Sequence, residues 1–141
     1  MRLYVCGSFK FLREIEELEC KLKEKNIEYE TSKKMSNRGI LGCLAKVADA
    51  DVVYVVNPRG YVGKSVSVDL GYAYAKNKSI YVMNRLDDPP IMNLIDGVLS
   101  PEALIELLKG SPSKDGHWLP HSQRYRPKRN GLGNPPDDDQ K

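Results

Sequence analysis

The stretch Asp51-Val-Val-Tyr-Val-Val-Asn-Pro58 decides the fold. Its five consecutive apolar residues, Val52 to Val56, leave no polar face for solvent. A strand of this kind is buried on both sides, as in a parallel sheet covered by helices above and below. The proline and the Pro58-Arg-Gly-Tyr-Val-Gly63 run that follows end the strand in a loop.

Working outward, strand-like and helix-like patterns alternate over the first 110 residues. Arg2–Cys6 is a short apolar run closed by Gly7. Ser8 is placed to cap a helix in which Phe11, Leu12, Ile15, Leu18 and Leu22 recur at helical spacing, with Asn26 as its stop. Ile27–Thr31 reads as a second strand and Lys33–Gly39 as a polar loop. Ile40, Leu41, Leu44 and Val47 mark a helix ending near Asp49. Beyond the central strand, Ser65–Asn77 reads as a helix and Ile80–Met83 as a strand. Arg85–Pro90 reads as a loop, Ile91–Ile95 as a helical turn and Val98-Leu99 as a short last strand. Ser100 caps a final helix that begins with Pro101 and stops at Gly110. Strands alternating with helices predict one parallel sheet with right-handed crossovers.

At 141 residues and 40% apolar composition, the chain needs no disulfide or metal staple to bury a core. The longest apolar run falls far below the about 18 residues of a membrane span. No signal-peptide h-region opens the sequence. Three cysteines without CxxC spacing speak against a disulfide framework or a zinc site. A cytoplasmic protein with no resident metal or cofactor is expected. Residues 111–141 hold six Lys/Arg and four Asp, and five of the nine prolines. Their only branched aliphatic residues are Leu119 and Leu132, so this segment is expected to be a disordered tail. The other 110 residues carry 16 basic and 15 acidic side chains. That near-neutral body speaks against a nucleic-acid-binding surface and leaves small molecules as the expected partners.

Ligands of such sheets bind beyond the carboxyl ends of the strands. That singles out Gly7–Lys10, Asn57–Asp69 and Asn84–Asp96. Gly7, Ser8 and Lys10 combine close backbone approach, a hydroxyl and a charge at a helix start, which suits an anion. Neither GxGxxG nor a P-loop is present. Asn57, Gly63, Ser65 and Ser67 supply further polar groups ahead of and within the next helix. Asp69, near that helix N-terminus, is expected to stay ionised, as a nucleophile must. Tyr4 points to one face of the first strand, and Cys43 reads as a small buried hydrophobe.

Tyr4-Val-Cys-Gly-Ser8, the run Ala50–Pro58, and Asp69-Leu-Gly-Tyr-Ala-Tyr-Ala-Lys-Asn-Lys-Ser-Ile-Tyr81 together resemble the nucleoside 2-deoxyribosyltransferase superfamily. Within it, the N-terminal motif is most similar to the 2'-deoxynucleoside 5'-phosphate N-hydrolases. The resemblance covers residues 1–110. It implies a flavodoxin-like three-layer sandwich around a five-stranded parallel sheet. It also implies cleavage or transfer at the N-glycosidic bond of (deoxy)nucleosides or their 5'-monophosphates, without a cofactor. Asp69 would be the nucleophile and Tyr4 would orient it or the sugar. Gly7, Ser8 and Lys10 would face the 5'-phosphate, with Ser65 and Ser67 as added donors. The family usually carries Glu where this chain has Asp69, and an Asp where it has Cys43; Asp49 and Asp51 are the nearby carboxylates. Family members assemble as dimers or larger homo-oligomers, which directs attention to Arg85–Asp96, Tyr72 and Tyr74. The alternative is a nucleotide-binding sensor domain without catalysis.

Overall fold

A computed structural model describes residues 1–33 and 39–110. Most of the expected Lys33–Gly39 loop and the whole 111–141 tail lie outside the described residues.

Five strands form one sheet in the order β2-β1-β3-β4-β5, and every adjacent pair is parallel. The strands are β1 (Leu3–Gly7), β2 (Tyr29–Thr31), β3 (Val52–Val56), β4 (Ser79–Val82) and β5 (Gly97–Val98). The helices are α1 (Leu12–Glu24), α2 (Ile40–Asp49), α3 (Lys64–Ala75), the single turn α4 (Pro89–Met92) and α5 (Pro101–Leu108). This is a flavodoxin-like order with helices on both faces, the architecture that the resemblance implies. The chain moves from β1 outward to β2 and then back to β3 on the other side. Strand order therefore reverses between β1 and β3, and a crevice opens there at their carboxyl ends.

The period-2 alternation of β1 and β3 divides the core. Leu3, Val5, Val52, Tyr54 and Val56 pack with Phe11, with Ile15, Leu18 and Leu22 of α1, and with Leu104 and Ile105 of α5. Tyr4, Cys6, Val53 and Val55 pack on the other face with Cys43 and Val47 of α2 and with Val66, Leu70 and Ala73 of α3. All of Val52–Val56 is buried, as its unbroken apolar run requires. Each large aliphatic side chain so buried contributes on the order of 2 kcal/mol.

Several boundaries differ from the sequence expectation for local reasons. Ser8 caps a short 3-10 turn, Phe9–Phe11, and α1 follows it. Asn26 and Asn77 end α1 and α3 with positive φ of 57° and 60°, a conformation asparagine tolerates. The helical turn expected at Ile91–Ile95 starts earlier, because Asp88 caps it at the Ile91 N–H and Pro89 fits its first position. β5 begins at Gly97 rather than Val98. The Asp96 side chain accepts from the Ile80 N–H at 2.7 Å, and the Asp96 N–H donates to the Ile80 carbonyl at 2.7 Å.

Candidate active site

The crevice at the strand ends is a cleft of about 390 Å³. Its floor and walls come from four segments that the sheet brings together. Gly7 ends β1, Ser8 and Phe9 follow it, and Ser32 follows β2. Ile40 and Cys43 come from α2. Tyr61 and Gly63 precede α3, which adds Lys64, Ser65, Val66 and Asp69. Gly7 is required where it stands: a Cβ there would lie 2.8 Å from the Val56 carbonyl oxygen of the neighbouring strand. Gly63 precedes α3 with no side-chain cap. The first N–H groups of α3 therefore have no partner in the helix ladder and are available to an anion at the cleft end of that helix.

Asp69 is 3% exposed, yet it lines the cleft. Its Oδ1 and the Tyr4 hydroxyl are buried polar atoms with no hydrogen-bond partner among the described residues. Such groups cost free energy and point to a missing partner. Asp69 sits in the second turn of α3, where the dipole effect has faded. Contrary to the expectation of a dipole-stabilised carboxylate, burial dominates and pushes its pKa up to about 6. The Tyr4 hydroxyl pulls the other way and wins back only part of that rise. The phenol is thus near enough to act on the carboxylate, although the two atoms close no hydrogen bond. Burial, then the neighbouring Cys6 and Asp69, raise the Tyr4 pKa, so its proton stays on. Burial likewise keeps the Cys6 thiol protonated.

The expected site residues separate into two groups. Gly7, Ser8, Gly63, Ser65 and Asp69 line the cleft together, with Tyr4 beside Asp69. Lys10 does not line it; its ammonium rests 4.2 Å above the Tyr61 ring at the cleft rim. Ser67 turns back along α3 and donates to the Gly63 carbonyl at 2.9 Å. Asn57 is fully buried, and both ends of its amide are engaged. Its Nδ2 donates to the Asn84 carbonyl at 2.7 Å, and its Oδ1 accepts from the Asn84 N–H at 2.9 Å. It ties the loops after β3 and β4 together.

Neither nearby carboxylate reaches the cleft. Asp51 accepts from the Arg2 N–H at 2.8 Å at the amino ends of the strands, and Asp49 borders a separate depression there with Arg2, Glu28 and Lys46. A third depression, between α1 and α5, is bordered by surface Lys and Glu side chains. Neither holds an unpartnered buried polar atom. Among the described residues, Asp69 is the one carboxylate lining the cleft. Phe9, Tyr61, Lys64 and Val66 fall inside the segments singled out from the sequence without being named as site residues, and Ser32 and Ile40 lie outside them. For Ser32 the signal was present, since it directly follows a strand at the ligand-binding edge.

No group of three or more His, Cys, Asp or Glu side chains among the described residues is arranged to hold a metal ion. No described helix is long and apolar enough to cross a membrane.

No protein-family model matches the chain, and no curated protein matches it. Solved structures do. A conserved protein from Enterococcus faecalis V583 superposes with a TM-score of 0.58 at 17% identity, over 77% of this chain and 97% of that one. Clostridium botulinum CMP N-glycosidase, BcmB, superposes with a TM-score of 0.48 at 16% identity, over 77% of this chain and 98% of that one. The first likeness is one of fold, and the second adds nothing to it.

Proposed function

We propose that this chain cleaves the N-glycosidic bond of (deoxy)nucleoside 5'-monophosphates, with Asp69 as nucleophile. One observation carries the reading: a buried, unpartnered carboxylate oxygen that lines a cleft at the reversal point of a parallel sheet. The likeness of Tyr4–Ser8 and Asp69–Tyr81 to the deoxyribosyltransferase superfamily supports it. In this reading the ionised Asp69 attacks the anomeric carbon and the bond to the base breaks with its electron pair. The base takes up a proton from water in the open cleft mouth, because the second acid of the resembled family is Cys43 here. Water then hydrolyses the glycosyl ester and restores the carboxylate. The Tyr4 hydroxyl orients the carboxylate. Gly7, Ser8, Ser65 and the uncapped start of α3 receive the 5'-phosphate, and Lys10 supplies charge at the rim. The reaction uses no cofactor.

The test is incubation with each nucleoside and deoxynucleoside monophosphate and chromatography for free base. The expected result is release by the native protein and none by Asp69→Ala. No release above that control would end the reading. A second reading, a nucleotide-binding sensor without turnover, draws support from the lack of a second carboxylate in the described cleft. Calorimetry separates the two, because a sensor binds monophosphates tightly and releases no base.

Residues 1–110 are proposed as the whole catalytic unit, so deletion of 111–141 leaves base release unchanged. A homodimer is proposed too, by the same likeness. Support comes from the apolar outer surface of α2 and α3, where Leu41 and Val68 are 59% and 50% exposed. Sedimentation as a monomer at micromolar concentration would contradict it.

A further inference from the structure

The loop between β3 and α3 carries more constraint than a connection needs. Arg59 has a φ of 60° and Gly60 a φ of 82°. A Cβ on Gly60 would lie 2.5 Å from the Arg85 carbonyl oxygen, so only glycine fits. The Gly60 N–H donates to the Asn57 carbonyl at 2.9 Å, and the Gly60 carbonyl accepts from the Asp87 N–H at 3.4 Å. The fully buried Asn57 side chain ties the start of this loop to the backbone of Asn84. Backbone held this tightly in left-handed conformations persists only where the surroundings determine it, and such places cluster at ligand sites.

What this rigid turn presents is Tyr61. The ring is braced on several sides. The Lys10 ammonium lies 4.2 Å from its centroid. Phe11 meets it edge-on at 6.0 Å and 71°. Gly63 leaves room for the phenol end, since a Cβ there would stand 3.3 Å from the hydroxyl. Despite these contacts Tyr61 remains 39% exposed and lines the cleft that holds Asp69. An aromatic surface that is immobilised yet open to a cleft is a platform for a flat ring.

We propose that Tyr61 is the nucleobase-stacking residue of this cleft and sets its requirement for a base. The proposal rests on the N-glycosidase reading, because a glycosyl bond at Asp69 must have a base to expel. Tyr61 binds and orients the base by its π-face, with no hydrogen bond to a base edge. It therefore favours aromatic leaving groups over none while distinguishing weakly among bases. Lys10 and Phe11 act through Tyr61 by fixing its plane.

The test is calorimetric binding of two probes, deoxycytidine 5'-monophosphate and 2-deoxyribose 5-phosphate, to the native protein and to Tyr61→Ala and Tyr61→Phe. All assays use the full chain, with thermal melts to confirm folding. Loss of one stacking contact is expected to weaken the nucleotide about tenfold in Tyr61→Ala and to leave the sugar phosphate within about twofold. Tyr61→Phe keeps the nucleotide within about twofold of native. Equal weakening of both probes, or no weakening of either, would overturn the proposal while the nucleotide reading stands. Failure of the native protein to bind either probe removes the nucleotide reading and this proposal with it.

Discussion

Tyr4 and Tyr54 stand on neighbouring strands, both fully buried, and their hydroxyls meet opposite fates. Tyr54 faces α1 and α5 and donates to the Leu99 carbonyl at 2.7 Å. Tyr4 faces α2 and α3, beside Asp69, and finds no partner among the described residues. Burial raises the pKa of both phenols, so each is a neutral donor at physiological pH. One uses its donor to hold the fold together; the other sits beside the Asp69 carboxylate without a closed hydrogen bond. The difference teaches that burial and residue type do not distinguish a tyrosine tied into the fold from one proposed to act in the site. The partner does.

The comparison breaks most visibly at the carboxylate that Tyr4 faces. Asp69→Asn keeps the shape and removes the proposed nucleophile, so base release should fall by at least about a thousandfold, read by chromatography under single-turnover conditions. Next come the two tyrosines themselves. Tyr4→Phe should lower turnover about tenfold to a hundredfold and move the acid limb of the pH–rate profile upward, because the group that lowers the Asp69 pKa is gone. Tyr54→Phe should leave both within about twofold.

Stability sharpens the contrast in the other direction. Tyr54→Phe strands the Leu99 carbonyl and should cost about 1–2 kcal/mol in urea unfolding. Tyr4→Phe breaks no closed hydrogen bond and loses only the pull of the hydroxyl on the Asp69 carboxylate, so it should cost less than Tyr54→Phe, under about 1 kcal/mol. If Tyr4→Phe proved the more destabilising of the two, the functional assignment of Tyr4 would fail.

The pH dependence of Asp69 is the most specific effect. The folded-state pKa of Asp69, about 6, lies above its ordinary value of 3.8. The folded protein therefore binds more protons than the unfolded chain between those values. The stability tied to this group is full below pH of about 4, declines as pH rises to about 6, and is level above that. Asp69→Asn should thus stabilise the fold at pH 7 by about 1–2 kcal/mol, after allowance for solvent in the open cleft. At pH 4 the gain should vanish. For the same reason native turnover should fall about tenfold per pH unit below pH of about 6.

The architecture was legible in the sequence because its signals are local. Val52–Val56 announces a strand buried on both faces, and the Ile15, Leu18, Leu22 spacing announces a helix face. Gly7 and Asp69 were legible because a glycine after a strand and an acid early in a helix fall at the ligand-binding edge of any such sheet. Asn57 was not. A polar residue after a strand reads the same whether it meets a ligand or ties two loops, and its partner Asn84 is 27 residues away. Ser67 misleads similarly, because its bond back to Gly63 depends on where α3 begins. Tyr61 fell inside the Asn57–Asp69 segment, but nothing in the sequence marked it there. Its place is set by left-handed backbone at Arg59 and Gly60 and by contacts from Lys10 and Phe11, none of which has a period. The rise in the Asp69 pKa left no mark in the sequence, because helix position is visible there and depth of burial is not.

The most direct test of the central claim is intact-protein mass spectrometry on protein trapped with a slowly hydrolysed 2-fluoro-arabinonucleoside monophosphate, followed by peptide mapping. The account predicts a mass gain of one fluorosugar phosphate, carried by the peptide containing Asp69 and missing in Asp69→Ala. Release of base with no adduct, or with the adduct on any other residue, would contradict it.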